Sequence, residues 1–208
     1  MKRAALIALT VFAIACSKPE KKEYFSIIDF SAYQEELINA SSIEENKRLD
    51  SIIFDQIEQA TVNRYLPPLI GSDLEGKEVR VDQLIKKPTL IVFFSPFCGW
   101  TSVDLANELP EIIDGAESRP EVIVLLLEER RGGIELPEDF YKVQHEQLKF
   151  LYPNTFLIQG TEAQKLNMYA LPSRFYFNGD KKLLQLTKGR VSVNRVKKEI
   201  AEFYKILE

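Results

Sequence analysis

Residues 90–101 of the chain read LIVFFSPFCGWT, and this stretch decides the fold. Its first five residues form an uninterrupted apolar run between Pro88 and Pro96, a pattern typical of a β-strand that is buried on both faces. The run leads to Cys98 in a glycine-containing turn. An amphipathic helical pattern follows at once, with its apolar side at Leu105, Leu109 and Ile112.

The position of Cys98 favours thiol chemistry. A cysteine at or just before a helix N-terminus meets unpaired N–H groups and the positive end of the helix dipole, and both favour a thiolate. The alternative is that a lone cysteine is a small buried hydrophobic side chain. The strand-to-helix turn, with Gly99 next in sequence, favours the reactive thiol.

The composition is that of an ordinary globular protein. The chain has 208 residues, of which 45% are hydrophobic and 28% are charged. This length suits one hydrophobic core and a small accessory region. The formal net charge of -4 argues against a general nucleic-acid binder.

The first fifteen residues differ from the rest of the chain. Lys2 and Arg3 precede an apolar segment that is too short for a membrane span of about 20 residues but suits a secretory signal. Residues 13–15 supply small side chains before Cys16, and the segment resembles a bacterial lipoprotein signal, whose cysteine is lipidated. This resemblance implies a lipid-anchored protein of the bacterial cell envelope that faces the periplasm. Ala13 stands where leucine is usual, so a secreted protein without lipid is the alternative.

The chain contains only two cysteines. If Cys16 carries lipid, Cys98 is the only thiol of the mature protein and no internal disulfide can form. A lone cysteine in an exported protein is a candidate reactive thiol.

Four segments follow from the patterns along the chain. We expect a signal peptide at 1–15, a tether at 16–26, an N-terminal helical extension at 27–65 and the main domain at 66–208. The extension carries two apolar stripes at helical spacing, the first at Ile27, Phe30, Tyr33 and Leu37 and the second behind a capping box of Ser42 and Glu45. It either covers the sheet of the main domain or docks a partner.

The main domain alternates strands and helices in the order β-β-α-β-α-β-α-β-β-α. A second apolar run at 122–127 predicts a parallel βαβ unit with the first, and the loop after it, with Arg130 and Arg131, should reach the same end of the sheet as Cys98. A helix beginning near Pro137 should turn Phe140, Val143 and Leu148 inward. Asn178-Gly179-Asp180 predicts a hairpin turn, and Ser192 caps a final amphipathic helix.

This order and four local matches resemble the thioredoxin fold, most closely the membrane-anchored TlpA/ResA-type thiol-disulfide oxidoreductases. Residues 69–81 resemble the family's opening hairpin, PTLIVFFSPFCGW at 88–100 its active-site strand, and LPSRFYFNGDKKLL at 171–184 its cis-proline loop and terminal hairpin. The final helix completes the match. The resemblance implies an α/β fold: a three-layer α/β/α sandwich around a mixed sheet, here with the N-terminal helical extension added.

The resemblance also implies roles for individual residues. Cys98 matches the nucleophilic first cysteine of the family's C-x-x-C motif. Pro172 matches the cis-proline beside it, which with Leu171 contacts a bound partner peptide. Asp104 falls where the family often has a carboxylate that tunes the cysteines; an exposed first-turn acid that favours the helix dipole is the alternative.

The motif departs from the family at its last position. Thr101 replaces the second cysteine, so the usual dithiol cycle cannot close within the chain. Thr101 can still donate a hydrogen bond to a Cys98 thiolate. Trp100 stands where thioredoxins usually have proline, and it either shields the thiol or contacts a partner.

Two functions follow from these residues. The first is monothiol thiol-disulfide exchange through Cys98, with envelope protein thiols or disulfides or a small thiol as partner and no cofactor. The second is a redox-inactive thioredoxin-like module that binds a partner protein at the membrane, so the sequence leaves open whether the chain is an enzyme. A peroxidase is disfavoured because Ile91 and Ser95 occupy the places of that family's proline and threonine. A metal site is disfavoured because ligands need clustered cysteine or histidine, and His145 is the only histidine.

Overall fold

The computed structural model describes residues 22–98, 109–114, 118–128, 137, 139–168, 171, 173–189 and 192–208. The predicted signal peptide and Cys16 lie outside these ranges. The helices are α1 (Ser31–Asn39), α2 (Ile43–Thr61), α3 (Leu109–Asp114), α4 (Phe140–Leu151), α5 (Gly160–Gln164) and α6 (Val193–Leu207). The strands are β1 (Ile70–Ser72), β2 (Glu78–Arg80), β3 (Thr89–Phe94), β4 (Glu121–Glu128), β5 (Thr155–Gln159), β6 (Ser173–Phe177) and β7 (Leu183–Lys188).

The strands form one mixed sheet in the order β2-β1-β5-β4-β3-β6-β7. The pairs β3–β4 and β4–β5 are parallel, and the remaining pairs are antiparallel. The predicted βαβ unit is confirmed, since β3 pairs with β4 from Thr89 opposite Glu121 to Phe94 opposite Leu126. The strand that carries the LIVFF run therefore lies inside the sheet, with neighbours on both sides.

Burial of β3 on both faces is also confirmed, because all six of its residues are buried. Alternate side chains enter two separate cores, as the period of two in a strand requires. Ile91 and Phe93 belong to the first core, with α2 and α5, whereas Leu90 and Val92 belong to the second, with α3 and α6. Helices thus cover both faces of the sheet.

Two predicted caps and one predicted turn are observed. The Ser42 side chain accepts the Glu45 N–H at 3.1 Å at the start of α2, and Ser192 accepts the Arg195 N–H at the start of α6. In the turn between β6 and β7, the Asn178 side chain accepts the N–H groups of Asp180 and Lys182 at 3.0 and 2.9 Å. These short-range bonds fix where the elements begin and end.

The structure corrects three local predictions. Val143 was expected to point inward but is exposed, because α4 buries His145 and Leu148, which lie on the opposite side of the helix. Ile27 was expected on the first helical stripe but is exposed and precedes α1. The predicted order also omitted β1, a three-residue strand whose Gly71 lies so close to β5 that a Cβ would come within 2.9 Å of the Leu157 carbonyl oxygen.

The helical extension lies over one face of the sheet. Ile53 and Ile57 of α2 are buried in the first core, and Tyr33 of α1 packs against the same core. After α2 the chain pairs with the start of β7: the Asn63 N–H donates to the Leu183 carbonyl at 2.7 Å, and the Leu183 N–H donates to Arg64 at 2.9 Å. The extension is therefore continuous with the sheet and its core.

Asp82 joins the opening hairpin to the terminal hairpin. Its carboxylate accepts the Leu69 N–H at 3.2 Å and the Arg80 guanidinium at 2.8 and 3.0 Å, and it lies 3.4 Å from Lys181 Nζ. Burial alone would raise the pKa of Asp82, but the hydrogen bonds from Arg80 and Leu69 and the positive charges of Arg80 and Lys181 hold that pKa below its ordinary value of 3.8.

Asp82→Asn is expected to lower the free energy of unfolding at pH 7 by about 1–2 kcal/mol, because charge-assisted hydrogen bonds are lost. A lowered pKa means that the carboxylate stabilises the fold above its ordinary pKa of 3.8 and that this contribution disappears as the pH falls through the lowered value. The difference from the natural chain should therefore shrink below pH 3.8. Urea unfolding at several pH values measures it.

Glu78→Gln is the matched control for this experiment, because Glu78 is an exposed carboxylate in the same hairpin. It should leave the free energy of unfolding unchanged within about 0.5 kcal/mol. Equal stability of Asp82→Asn and Glu78→Gln at pH 7 would contradict the assignment.

Candidate functional site

A short turn after β3 presents Cys98. Ser95 is buried and organises the turn: its Oγ accepts the Phe97 N–H at 3.2 Å, and its carbonyl accepts the Cys98 N–H at 3.0 Å. Pro96 has no N–H to extend a strand ladder, so β3 ends before it. The chain is thereby bent away from the sheet just before the cysteine.

Cys98 is a residue of intermediate exposure. Its side chain belongs to neither of the two apolar cores, unlike the alternate residues of β3 that lead to it. A partly exposed cysteine that follows a buried strand has a fixed backbone support on one side.

Aromatic side chains support the turn from one side. The ring of Phe97 stacks on Phe140, with centroids 5.9 Å apart and planes 20° from parallel. Phe140 in turn meets Tyr141 edge to face at 5.2 Å, and Tyr141 packs against the second core. The start of α4 therefore braces the turn that carries the thiol.

Strand directions define two ends of the sheet. The thiol end is where β3, β4 and β5 finish and β6 begins, and the hairpin end is where β6 turns into β7 through residues 178–182. Since Arg174 pairs with Val92, the start of β6 lies beside the last residues of β3. Leu171, which packs against the first core, and Ser173, which is buried, thus lie at the same end as Cys98.

Other predicted site residues fall outside the described ranges. These are Trp100, Thr101, Asp104, Pro172 and the lipidation site Cys16. The loop after β4, with Arg130 and Arg131, also falls outside them. The last residue of β4, Glu128, lies at the thiol end, which is the end of the sheet where this loop was predicted to begin. Their roles stay predictions.

The corner between α1 and α2 also lies at the thiol end. Lys188, the last residue of β7, contacts Asp50 at 2.7 Å, and α2 ends near the start of β7, so the first residues of α2 lie toward the thiol end. Two isoleucines at this corner, Ile38 and Ile43, are 83% and 70% exposed. The sequence pattern predicted apolar side chains in this extension, but it did not predict that Ile38 and Ile43 would be exposed.

Sequence reasoning missed a buried ionic network near the start of β6. Arg174 Nε lies 3.1 Å from Glu199 Oε2, and both side chains are almost completely buried. The same carboxylate oxygen accepts the hydroxyl groups of Tyr176 at 3.2 Å and Thr187 at 3.1 Å. Burial, followed by the charge of Glu199, raises the pKa of Tyr176, which keeps its hydroxyl a donor.

The network fixes α6 to β6, whose first residues stand beside the thiol turn. Its only signals in the sequence are an arginine within the apolar run 173–177 and a glutamate next to Ile200 on the apolar stripe of the last helix. Neither feature of the sequence predicts that Arg174 pairs with Glu199, because the two residues are 25 positions apart.

Metal-binding geometry is absent from the described ranges, where no group of three or more potential ligands could hold an ion. His145 is buried in α4, and its Nε2 lies 2.7 Å from the Thr155 carbonyl oxygen at the start of β5, away from the thiol end. Within the same ranges, no helix has the length and apolarity needed to span a bilayer.

Comparison with solved structures gives the fold. The thioredoxin domain of a thiol-disulfide oxidoreductase from Bacteroides vulgatus matches with a TM-score of 0.52 at 16% identity, over 69% of this chain and 97% of that one. A thiol:disulfide interchange protein from Bacteroides sp. matches with a TM-score of 0.50 at 16% identity, over 69% and 90%. Arabidopsis thaliana ScoI with copper bound matches with a TM-score of 0.50 at 15% identity, over 67% and 97%.

The chain has a thioredoxin-like fold. The predicted α/β fold class with a mixed sheet is confirmed. No protein-family model and no curated protein matches the chain. In this thioredoxin-like domain, Cys98 follows the interior strand β3 and Leu171 precedes its antiparallel neighbour β6.

Arg174→Met is expected to lower the free energy of unfolding by about 3–5 kcal/mol, because it leaves the buried Glu199 carboxylate without its main counter-charge. Adding Glu199→Leu should restore part of that loss, since it removes the unpaired buried charge, although the hydroxyl groups of Tyr176 and Thr187 then lose their acceptor. Chemical denaturation of the two single variants and the double variant measures the coupling.

Glu202→Ala is the control on the same helix, because Glu202 forms an exposed pair with Lys198 at 3.5 Å. Its effect should stay within about 1 kcal/mol. If the double variant is as unstable as Arg174→Met, the loss comes from packing and the ionic account is wrong.

Proposed function

We propose that the chain is a thioredoxin-like lipoprotein of the cell envelope that performs monothiol thiol-disulfide exchange through Cys98. The observation that carries the proposal is the partly exposed residue Cys98 after a fully buried strand, in a turn ordered by Ser95. The likeness of the fold to thiol-disulfide oxidoreductases supports the same chemistry.

The first step is attack on a disulfide. The Cys98 thiolate forms a bond to one sulfur of a partner disulfide, the partner's S–S bond breaks, and its second sulfur leaves as a thiolate that takes up a proton. The product is a mixed disulfide between Cys98 and the partner. No electrons are gained or lost overall in this step.

The second step needs a thiol from outside the chain, because position 101 is threonine. If another cysteine of the partner attacks the partner's sulfur in the mixed disulfide, Cys98 leaves as a thiolate and the partner's disulfides are rearranged. If a small thiol attacks instead, that thiol ends up in a disulfide with the partner, and a second small thiol completes net reduction. A protein with one cysteine is better suited to disulfide isomerisation and to the removal of small-thiol adducts than to a dithiol cycle, which needs two cysteines in the same chain.

Neighbouring residues would assist these steps. Thr101 would donate a hydrogen bond to the Cys98 thiolate, and Trp100 would offer an apolar contact to the partner. Leu171 and Pro172 would hold the partner's backbone beside the sulfur, a role supported by the place of Leu171 at the thiol end. Asp104 would tune the thiol through the first turn of its helix.

A partner-binding module without redox activity is the second candidate function. The exposed pair Ile38 and Ile43 at the corner of α1 and α2 favours it, because these apolar side chains lie at the end of the molecule where Cys98 also lies. In this case the thioredoxin-like domain would present the corner and the thiol end as one binding surface.

The exchange reaction predicts that Cys98 forms a mixed disulfide with oxidised glutathione and that the adduct accumulates. The full chain with Cys16→Ser leaves Cys98 as the only thiol, and Cys98→Ser added to it is the blank. Mass spectrometry under native conditions measures the adduct, and iodoacetamide alkylation at a series of pH values measures how much of the thiol is ionised.

Thr101→Cys is the matched test of the missing second cysteine. It restores a C-x-x-C motif, so the mixed disulfide should resolve within the chain and its yield should fall several-fold. A Cys98 thiol that reacts only after denaturation would remove the exchange function and leave the binding module.

The binding module predicts that partners are retained without the thiol. In the Cys98→Ser background, Ile38→Glu together with Ile43→Glu should abolish capture of a partner from envelope extract, because two charges replace the apolar contact. Phe150→Glu is the control, since Phe150 is 89% exposed on α4 and away from the corner. Loss of all partners on Cys98→Ser alone contradicts this second function.

A further inference from the structure

The chain enters the domain at the hairpin end of the sheet. The Tyr65 N–H donates to the Glu23 carbonyl at 2.7 Å, and the Phe25 N–H donates to the Tyr65 carbonyl at 3.1 Å. Tyr65 is bridged on its other side to Lys182, in the turn between β6 and β7, and Lys22 Nζ lies 4.8 Å above the Tyr65 ring. Residues at the end of the predicted tether are thus attached to the sheet.

Side chains fix the same segment. Phe25 is only 7% exposed, and its ring stacks on that of Phe177, the last residue of β6, with centroids 6.2 Å apart. Asn167, which is buried, donates to the Ser26 carbonyl at 2.7 Å and accepts the Ile28 N–H at 2.8 Å. From Glu23 to Ile28 the chain is therefore held to the domain at consecutive points.

The point of entry and the thiol are separated by the length of β3. Phe177, on which Phe25 stacks, pairs with Thr89 at the start of β3, whereas Cys98 follows Phe94 at its end. The five residue steps from Thr89 to Phe94 span about 17 Å. Cys98 lies beyond that distance, at the other end of the sheet.

The connection to Cys16 is short by comparison. Seven residue steps separate Cys16 from Glu23. They reach at most about 25 Å when fully extended, and a flexible chain of that length spans about 15 Å on average. A lipid on Cys16 would therefore hold the hairpin end near the bilayer, and turning the thiol end down to the lipid would require a nearly extended tether.

We propose that the docked segment Glu23–Ile28 orients the domain so that Cys98 faces away from the membrane. Its reaction partners are then disulfides on water-soluble proteins or on domains that project into the aqueous space of the envelope. Cysteines of membrane proteins at the level of the bilayer surface are disfavoured as partners, because reaching them would require a nearly extended tether. This inference rests on the lipid anchor and thiol exchange proposed above.

Fluorescence energy transfer to a lipid-borne acceptor tests the orientation. The chain, expressed in bacteria with residues 1–15 in place, is mixed into liposomes of phosphatidylcholine with a rhodamine-labelled lipid, and a donor dye is attached to Cys98. The matched chain carries the donor at the hairpin end, through Asp180→Cys in a Cys98→Ser background, since Asp180 is exposed. Transfer from position 180 should be more efficient than transfer from position 98.

A longer tether is the second arm of the test. Twenty glycine and serine residues inserted after Cys16 should bring the two transfer efficiencies together, because the domain can then turn over. Equal transfer from both positions in the natural chain, or more efficient transfer from Cys98, overturns the orientation.

Two further outcomes of the experiment distinguish failure of this inference from failure of the proposed function. If the chain does not float with the liposomes, the lipid anchor is wrong and the orientation is wrong with it. If the chain floats and shows the difference in transfer but forms no mixed disulfide with oxidised glutathione, the orientation stands, the exchange function is wrong, and the choice of disulfides as partners is wrong as well.

Discussion

Burial of β3 on both faces is the constraint on which the rest of the structure depends. A strand of six buried residues, five of them apolar, has no face that water can solvate, so it needs a strand on each side and a helical layer above and below. Its alternate side chains divide between two cores, and each core recruits its own helices. The positions of α2, α3, α5 and α6 all follow from that division.

The same constraint gives the thiol its setting. Because β3 cannot move within its layers, the turn that Ser95 organises after it is a fixed support for Cys98. The antiparallel neighbour β6 begins at the same end of the sheet and is itself held by the buried pair of Arg174 and Glu199. The packing of the core therefore determines where Cys98 lies.

The sequence predicted the structural features that depend on residues close together in the chain. The apolar runs of β3 and β4, the stripe of α6 and the caps at Ser42 and Ser192 were all visible in the sequence, since period and capping chemistry act over a few residues. The pairing of Arg174 with Glu199 was not visible, because the fold alone brings the two together. Likewise, nothing near Asn167 in the sequence indicates that it holds Ser26 and Ile28, about 140 positions away. The position of Cys98 after β3 was predictable from the sequence, and the docking of the entering chain was not.

The pairing of residues 63–65 with the start of β7 has a consequence for solubility. An uncovered outer strand offers a row of backbone donors and acceptors to any neighbouring chain, and such rows lead to edge-to-edge aggregation. Here Asn63 and Arg64 pair with Leu183, the first residue of β7, and the strand at the opposite edge of the sheet, β2, is only three residues long. For copies crowded together, the start of the β7 edge is therefore already paired and the β2 edge offers only a short strand for joining sheets.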